Sequence, residues 1–365
     1  MRMRMKDIAK DLGLSVVTVS KVLRGHSDIS ASTKERVLRR VKELDYRPNL
    51  TARGLVTGRT YIIGVVVPAL RLPFFAEIAA GVGSLMRREG YRMIVVSSEE
   101  DRKLELESIE ALLAHQVDGL IVASSLKKAD SDIFRRVERQ KVPYVLIDRE
   151  IPDLEADFVG VDDEAVGAIA TEHLIQRGNR RIAHIGASQL STGAGRLRGY
   201  MTMMARYGIT VPAGYVANVG HAGINAECGG FQAMQQLLAM DPPPDAVFCI
   251  TGLAAAGALR AILSRGLRVP DDIALIGVSN LPHIDLLKVP LSSIDQSPML
   301  IGERAAKVLL RRVESPSQSR PTRILIPPKL IIRESSAVPP TAKEEPQPVG
   351  VSPNLAEDQA GLINT

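Results

Sequence analysis

Hydrophobic residues in the first 47 positions recur with the spacing of three short helices. The first segment has an apolar face that begins at Ile8, and Gly13 ends it. Ser15 can cap a second segment, 16–23, by accepting a hydrogen bond from the backbone. A capping box at 32–35 precedes a third segment. The apolar stripe expected on this third segment consists of Val37, Leu38, Val41 and Leu44.

From residue 61 onward the pattern changes to alternating apolar runs and helical segments. The run 62–67 is continuously apolar, which is typical of a strand buried on both faces. The expected strands are 62–67, 93–96, 119–123, 144–147, 158–161, 182–185, 246–250, 273–278 and 324–332. Strands and helices in series predict parallel, doubly wound α/β sheets with helices on both faces. Because there are too many strands for one comfortable sheet, we expect two lobes with a cleft between them.

The chain is therefore expected to be multidomain. An all-α head at 1–47 is followed by a polar, Gly-containing linker at 48–60. The α/β body occupies 61–335. The tail at 336–365 is rich in Pro and polar residues and has no apolar periodicity, so we expect it to be disordered.

Charge is distributed unevenly between these segments. The first 60 residues hold 14 Lys and Arg against 6 Asp and Glu, a net charge of +8. The remaining residues hold 32 against 35, a net charge of −3. This asymmetry favours a polyanion-binding head on a neutral body, and the alternative is a solvated basic face.

Several classes of protein are disfavoured. Cys228 and Cys249 are the only cysteines, and the six His are scattered without metal-ligand spacing, so we expect no disulfide framework and no metal site. No apolar segment approaches the roughly 20 residues that span a bilayer, and no signal-peptide core follows the N-terminus, which favours the cytoplasm and no membrane association. There is no P-loop, and in the segment 193–199 the third Gly comes one residue too late for a dinucleotide fingerprint. We therefore predict neither catalysis nor a cofactor.

Motifs in both parts of the chain carry a resemblance to a known family. In the head they are Asp7-Ile-Ala, Gly13-Leu-Ser-Val-Val-Thr-Val-Ser-Lys-Val-Leu23 and Tyr46-Arg-Pro-Asn49. In the body they are Gly64-Val-Val-Val-Pro68, Pro73-Phe-Phe75, Leu146-Ile-Asp-Arg149, Arg180-Arg-Ile-Ala-His-Ile-Gly186, Arg196-Leu-Arg-Gly199 and Arg333-Glu-Ser335. Over residues 5–335 the chain resembles the lactose/galactose-repressor (LacI/GalR) family. The resemblance implies a sequence-specific DNA-binding transcriptional regulator, by family default a repressor, with a helix-turn-helix head and a periplasmic-binding-protein-like body. A solute-binding transport protein, the alternative for the body alone, is disfavoured by the head.

The resemblance assigns DNA contacts to the head. In a helix-turn-helix, the N-terminal residues of the second helix meet base edges in the major groove. Val16, Val17 and Lys21 then read bases: Lys21 can donate to guanine, and the valines can contact thymine methyl groups. Core packing is the alternative for both valines. The phosphate contacts expected by position are Thr18, Ser20, Arg24, Thr33, Tyr46 and Asn49.

The linker has a separate expected role. In the resembling family it forms a short helix on DNA and wedges a Leu into the minor groove, which bends the duplex. Leu55 matches that Leu, and Ala52 and Arg53 lie on the same short element. Because one head buries too little surface for tight binding, we expect a homodimer on a palindromic operator.

The resemblance also implies an effector site in the body. The two lobes are expected at 61–160 plus 292–322 and at 161–289 plus 323–335, with a sugar or sugar derivative bound between them. The expected cleft residues are Phe74, Arg149, Arg196, Thr251 and Ser279.

This cleft departs from the family pattern. Ile250-Thr-Gly252 and Val278-Ser-Asn280 stand where acidic or amide residues are common in the family. With two expected carboxylates absent and two arginines present, one hypothesis is an anionic effector, such as a sugar acid or a sugar phosphate. The alternative is a protein that no longer senses a sugar.

Overall fold

A computed structural model of the chain describes residues 5–23, 27–45, 59–187, 190–220, 223, 225–315 and 320–337. The predicted linker, apart from Arg59 and Thr60, and the predicted tail from residue 338 lie outside the described residues. The predicted DNA contacts outside this range are Arg24, Tyr46, Asn49, Ala52, Arg53 and Leu55.

The head folds into the three expected helices, α1 (Met5–Leu12), α2 (Val16–Leu23) and α3 (Ala31–Glu43). Their buried core consists of Ile8, Ala9, Val19, Val22 and Val37. The third helix is capped by Ser30, two residues before the start of the predicted capping box, and the Ser30 hydroxyl oxygen accepts a hydrogen bond from the backbone of Thr33 (3.4 Å). Leu38, which was expected on the apolar stripe, is exposed.

The body contains two six-stranded sheets. The first has the strand order β11-β5-β4-β3-β1-β2. Its strands are β1 (Ile62–Val67), β2 (Arg92–Ser97), β3 (Gly119–Val122), β4 (Tyr144–Ile147), β5 (Asp157–Val161) and β11 (Arg323–Ile326). All of its pairs are parallel. Val65 and Val66 of β1 belong to cores on opposite faces, as the continuous apolar run predicted.

The second sheet has the strand order β12-β10-β9-β8-β6-β7. Its strands are β6 (Ile182–Gly186), β7 (Val216–Asn218), β8 (Ala246–Cys249), β9 (Ala274–Val278), β10 (Ser292–Asp295) and β12 (Lys329–Ile331). The pairs are parallel except that the edge strand β12 runs antiparallel to β10. Each sheet, with its helices, forms one lobe.

Eight α-helices in the described part of the body cover these sheets. They are α4 (Pro73–Arg88), α5 (Arg102–Ala114), α6 (Asp132–Arg139), α7 (Asp163–Gln176), α8 (Ser191–Arg206), α9 (Ala226–Leu238), α10 (Gly252–Ser264) and α11 (Pro298–Glu314). The first lobe has α4 and α11 on one face and α5 and α6 on the other. No helix among the described residues is long and apolar enough to cross a membrane.

The positions at which the chain crosses from one lobe to the other differ from the expected positions. Strand β10 pairs with β9 of the second sheet, so the second crossing lies between Asp295 and Pro298 rather than at 289–292. Strand β11 pairs with β5 of the first sheet, so the last crossing follows Ile326 rather than residue 322. The predicted strand 324–332 is in fact two strands in different sheets, because the chain changes lobe at the Pro pair 327–328.

Candidate functional site

The start of α2 is fixed by a side-chain cap. The hydroxyl oxygen of Ser15 accepts a hydrogen bond from the backbone nitrogen of Thr18 (3.0 Å) and also lies 2.9 Å from the Thr18 hydroxyl. Val19 and Val22 point into the core of the head. The cap and these two buried valines together fix which face of α2 is presented to solvent.

That face carries the three predicted base-reading residues. Val16 and Val17 expose 46% and 62% of their surface, so core packing does not explain them. Lys21 lies one helical turn beyond Val17 and is ion-paired with Asp28, in the loop before α3. Two exposed valines beside a lysine give this surface both apolar and hydrogen-bonding contacts for a DNA groove.

Two of the three described phosphate candidates, Thr18 and Thr33, lie in the first turns of helices. Thr18 takes part in the Ser15 cap, and the hydroxyl of Thr33 accepts a hydrogen bond from that of Ser30 (2.9 Å). Ser20 is half-buried in α2. The hydroxyls of Thr18 and Thr33 therefore have a local structural role, and the first backbone amides of a helix are in general donors suited to phosphate oxygens.

A cavity of about 70 Å³ lies between the two lobes, and we call it the interlobe cavity. All five predicted effector residues line it: Phe74, Arg149, Arg196, Thr251 and Ser279. Arg149, Thr251 and Ser279 follow the carboxyl ends of strands, and Phe74 and Arg196 lie on the helices that follow such ends, which is where open α/β sheets bind ligands. The structure therefore brings these residues, which are far apart in sequence, to one place.

Arg149 is buried at the end of β4 and has partners within its own lobe. It donates to the Ser125 hydroxyl (2.6 Å) and to a carboxylate oxygen of Glu100 (2.8 Å). Its Nε lies 3.5 Å from Asp148 Oδ2 but makes no hydrogen bond. Two carboxylates therefore offset the charge of this guanidinium.

Arg196 is the corresponding cation of the second lobe. Its Nε donates to Asp163 Oδ1 (2.9 Å) and its Nη1 to the carbonyl oxygen of Ile250 (2.8 Å). Burial raises the pKa of Asp163 to about 7, although Arg196 opposes this shift. Arg196 is thus held in place by lobe contacts before any ligand arrives.

The remaining cavity residues are mostly apolar. Phe74 packs edge-on against Phe75, with ring centroids 5.1 Å apart. Thr251 caps α10 by accepting from the backbone of Ala254 (3.1 Å), and Ser279 donates to Gln296 (2.9 Å). The apolar residues lining the cavity are Leu72, Pro73, Phe74, Phe75, Leu190, Ile250, Gly252, Leu253 and Leu281.

Comparison with known proteins agrees with both parts of the structure. Residues 4–49 match the bacterial regulatory proteins of the lacI family. Residues 171–336 match a periplasmic binding protein-like domain. The ribose operon repressor of Haemophilus influenzae is 33% identical to this chain over 332 residues, which cover 91% of the chain and 98% of the relative. This chain belongs to the LacI family.

Other LacI-family proteins match over the same length. The transcriptional repressor PurR of Mannheimia succiniciproducens is 32% identical over 90% of this chain and 97% of the relative. Among solved structures, a lac repressor dimer bound to operator and the anti-inducer ONPF has a TM-score of 0.81 and 27% identity, covering 92% of this chain and 99% of that one. A complex of the regulator CelR with cellobiose has a TM-score of 0.68 and 30% identity, covering 92% of this chain and all of that one. The predicted family and fold are confirmed, and this LacI-family chain is a DNA-binding transcriptional regulator.

Sequence reasoning missed the acidic residues of this LacI-family cavity. Asp162 caps α7 by accepting from the backbone of Ala165 (3.0 Å), whereas its neighbour Asp163 accepts from Arg196 (2.9 Å). Asp148 directly precedes Arg149, and burial raises the pKa of this carboxyl although both cavity arginines oppose the shift. The signal in the sequence was that the residue pairs at 148–149 and 162–163 each follow a buried strand. In the described residues, no cluster of His, Cys, Asp and Glu fits a metal ion.

Proposed function

We propose that this protein is a repressor whose affinity for a palindromic operator changes when a small molecule binds in the interlobe cavity. The observation that carries the proposal is the exposed surface of α2, where Val16, Val17 and Lys21 project from a helix whose other side is buried. A capped, rigid helix with such a face suits the major groove. In this proposal the protein acts in the cytoplasm, catalyses no reaction and uses neither a metal nor a cofactor.

The proposed DNA contacts extend beyond the base-reading residues. Thr18, Ser20, Arg24, Thr33, Tyr46 and Asn49 bind phosphates in this proposal. Leu55 enters the minor groove between the two half-sites, flanked by Ala52 and Arg53. The head is proposed at 1–47 and the linker at 48–60. The body begins at 61 and extends past the predicted end at 335, because Ser336 is fully buried and its hydroxyl donates to that of Ser292 (2.7 Å). The proposed tail therefore begins after this residue rather than at 336.

A homodimer is part of the proposal. A palindromic operator has a two-fold axis, so two copies of the head related by the same symmetry can read its half-sites equally. The lac repressor of the matching structure is a dimer on its operator. A dimer also brings two copies of the basic first 60 residues, each with a net charge of +8, to the same DNA.

For the effector, we propose an uncharged sugar or sugar derivative that contacts Phe74, Arg149, Arg196, Thr251 and Ser279. The apolar lining suits the hydrophobic face of a sugar ring, and the few polar groups can fix its hydroxyls. The hypothesis of an anionic effector rested on the two arginines and on the carboxylates missing at 250–252 and 278–280. Glu100, Asp148 and Asp163 lie beside those arginines, so an added anion would compete with these carboxylates.

In-vitro selection of random DNA duplexes by the full-length protein tests the DNA-binding part of this proposal. We expect enrichment of a two-fold symmetric sequence, bound by one dimer as measured by sedimentation. A protein that enriches no sequence, or that binds selected and random duplexes equally, would not have the proposed function.

A further inference from the structure

The carboxylate of Asp118 holds both the last residue of the predicted linker and the first residue of the body. One carboxylate oxygen accepts from the backbone nitrogen of Thr60 (2.8 Å) and lies 2.9 Å from the Thr60 hydroxyl. The other oxygen accepts from the backbone nitrogen of Tyr61 (2.8 Å). We call Asp118, Thr60 and Tyr61, with these contacts, the linker clamp.

The clamp holds a turn that the backbone rarely adopts. Tyr61 has a φ of +57°, in the left-handed region that is uncommon for a bulky side chain. Such a conformation persists where several contacts fix it together. The carbonyl oxygen of Tyr61 accepts from the backbone nitrogen of Arg92 (2.8 Å), and its ring packs against that of Tyr91, with centroids 5.3 Å apart. The direction in which the chain enters β1 is therefore fixed.

The pairing of β1 does not account for the clamp. Strand β1 begins at Ile62 and is paired with β2 on one side and with β3 on the other. The hydrogen bonds of Asp118 go instead to the two residues that precede the strand. Hydrogen bonds to a charged acceptor are roughly twice as strong as bonds between neutral groups. What the clamp orders is therefore the point at which the linker leaves the first lobe.

This exit point limits where the linker can meet DNA. Leu55, which the proposed function places in the minor groove, comes five residues before Thr60. Five residues span at most about 18 Å, and the release of Thr60 would add up to about 3.5 Å to the reach of each chain. One base pair of B-form DNA also rises by about 3.4 Å. A released dimer can therefore follow half-sites that are moved by one base pair, whereas a clamped dimer must deform the DNA.

We infer that Asp118 is a specificity-determining residue for operator geometry, which selects the spacing of the two half-sites by fixing the exit of the linker from each first lobe. This inference rests on the proposed function, in which a dimer reads a palindrome. Asp118 touches no DNA in this arrangement, and it acts as a positioning residue through Thr60 and Tyr61.

The test compares Asp118→Ala and Asp118→Asn with the control Asp101→Ala in the full-length protein. Asp101 belongs to the same lobe and accepts from the backbone nitrogen of Leu104 at the start of α5 (2.9 Å). Its substitution therefore removes the same charge and a similar hydrogen bond away from the linker. Affinities are measured by fluorescence anisotropy for the selected duplex and for the same duplex with one base pair inserted or deleted at its centre. Thermal melting checks that each variant remains folded.

We expect wild type and Asp101→Ala to prefer the selected spacing by the same factor. Asp118→Ala should reduce this preference by about tenfold, because the DNA no longer has to be deformed to meet two fixed exit points. Asp118→Asn should give an intermediate preference, since its amide oxygen can accept from Thr60 but its amide nitrogen cannot accept from Tyr61. Base preferences within each half-site should be the same in all four proteins, because α2 is unchanged.

A wild-type preference for the selected spacing in the folded Asp118 variants would overturn the inference and leave the proposed function intact. Weaker binding by the same factor to all three duplexes would also overturn it, because a purely structural role gives that result. Asp118→Asn decides the question by itself if Asp118→Ala does not fold. Failure of wild type to select any sequence would instead contradict the proposed function and, with it, the role of Asp118.

Discussion

The two cavity arginines differ in the groups that they leave for a ligand. Arg149 uses Nη1 and Nη2 within its own lobe, and its Nε is buried without a hydrogen bond. Arg196 uses Nε and Nη1, and no hydrogen bond to a described residue is recorded for its Nη2. Arg196 therefore has a donor to spare for a ligand oxygen, whereas Arg149 chiefly sets the shape and charge of the cavity.

Asp163 should make stability depend on pH. Burial raises the pKa of Asp163 from 3.8 to about 7, so between these values the folded protein binds more protons than the unfolded chain. The contribution of this group to stability must then fall as pH rises from about 4 to about 7, by at most about 1.4 kcal/mol per pH unit. The free energy of unfolding, measured with urea across this pH range, should fall less steeply with rising pH in Asp163→Asn than in wild type. Parallel curves would mean that Asp163 keeps an ordinary pKa in its pair with Arg196.

The charge balance of the cavity predicts its response to anions. Inorganic phosphate should not raise the melting temperature of the wild-type protein more than sodium chloride of equal ionic strength, because Arg149 already has carboxylate partners. Glu100→Gln removes one of these carboxylates, and phosphate should then raise the melting temperature of the variant in a saturable way. Glu107→Gln, an exposed change on α5, is the control. If phosphate raised the melting temperature of wild type in a saturable way, and Arg149→Met abolished this rise, an anionic effector would be favoured instead.

The positions of the cavity residues were predictable, but their electrostatics were not. Thr251 and Ser279 follow buried strands, so the rule that ligands bind at strand ends located them. Asp163 has the same residue type and neighbours as a helix cap, and only the approach of α8 gives it a buried arginine partner. A single sequence carries no information on which distant side chain reaches a given carboxylate.

Three pairs of helices in the body approach each other closely through glycines. A Cβ built on Gly81 would lie 2.2 Å from the carbonyl oxygen of Met299, and one on Gly302 would lie 2.1 Å from that of Ile78. The same reciprocal arrangement joins α7 to α8 and α9 to α10, through Gly167, Gly199, Gly230 and Gly257. Backbone-to-backbone contact at these points fixes the spacing of the helices that support the cavity.

Gly81→Ala should therefore destabilise the first lobe by about 3 kcal/mol, because α4 and α11 must separate to admit the methyl group. Gly83→Ala, two residues along the same helix, is the control. Its Cβ would meet only the flexible end of Met93 at 3.3 Å, and Ala is a better helix former by about 1 kcal/mol. Equal stability of the two variants in chemical denaturation would show that the close approach of α4 and α11 is not a constraint.

Element prediction failed where polar residues form a buried strand. Strand β10, for which the sequence pattern predicted no strand, contains Ser292 and Ser293, and both are fully buried. The backbone nitrogen of Ser292 donates to the Ser335 hydroxyl (2.8 Å), and its own hydroxyl donates to the carbonyl oxygen of Arg333 (2.9 Å). These partners lie about 40 residues later in the chain, so local pattern could not indicate that the hydroxyls would be satisfied. The missed strand also displaced the predicted crossing between lobes.

At the scale of the whole molecule, the end of the linker is attached to the first lobe. The backbone nitrogens of Thr60 and Tyr61 both donate to the carboxylate of Asp118 (2.8 Å each). Arg59 donates to the carbonyl oxygen of Val313, at the end of α11 (3.1 Å). Because α11 follows a crossing between the lobes, a rearrangement of the lobes can reach the linker through these contacts, which is what ligand control of DNA affinity requires.

The central claim is that the exposed face of α2 reads DNA sequence, and a comparison of base-preference profiles tests it most directly. Selection from random duplexes is carried out with wild type, Lys21→Ala and the control Lys42→Ala, a change at an exposed position on α3. We predict that Lys21→Ala loses the preference for one guanine in each half-site, a contact worth about 1–3 kcal/mol, while the other positions and the Lys42→Ala profile stay unchanged. A Lys21→Ala profile identical to that of wild type would contradict the account.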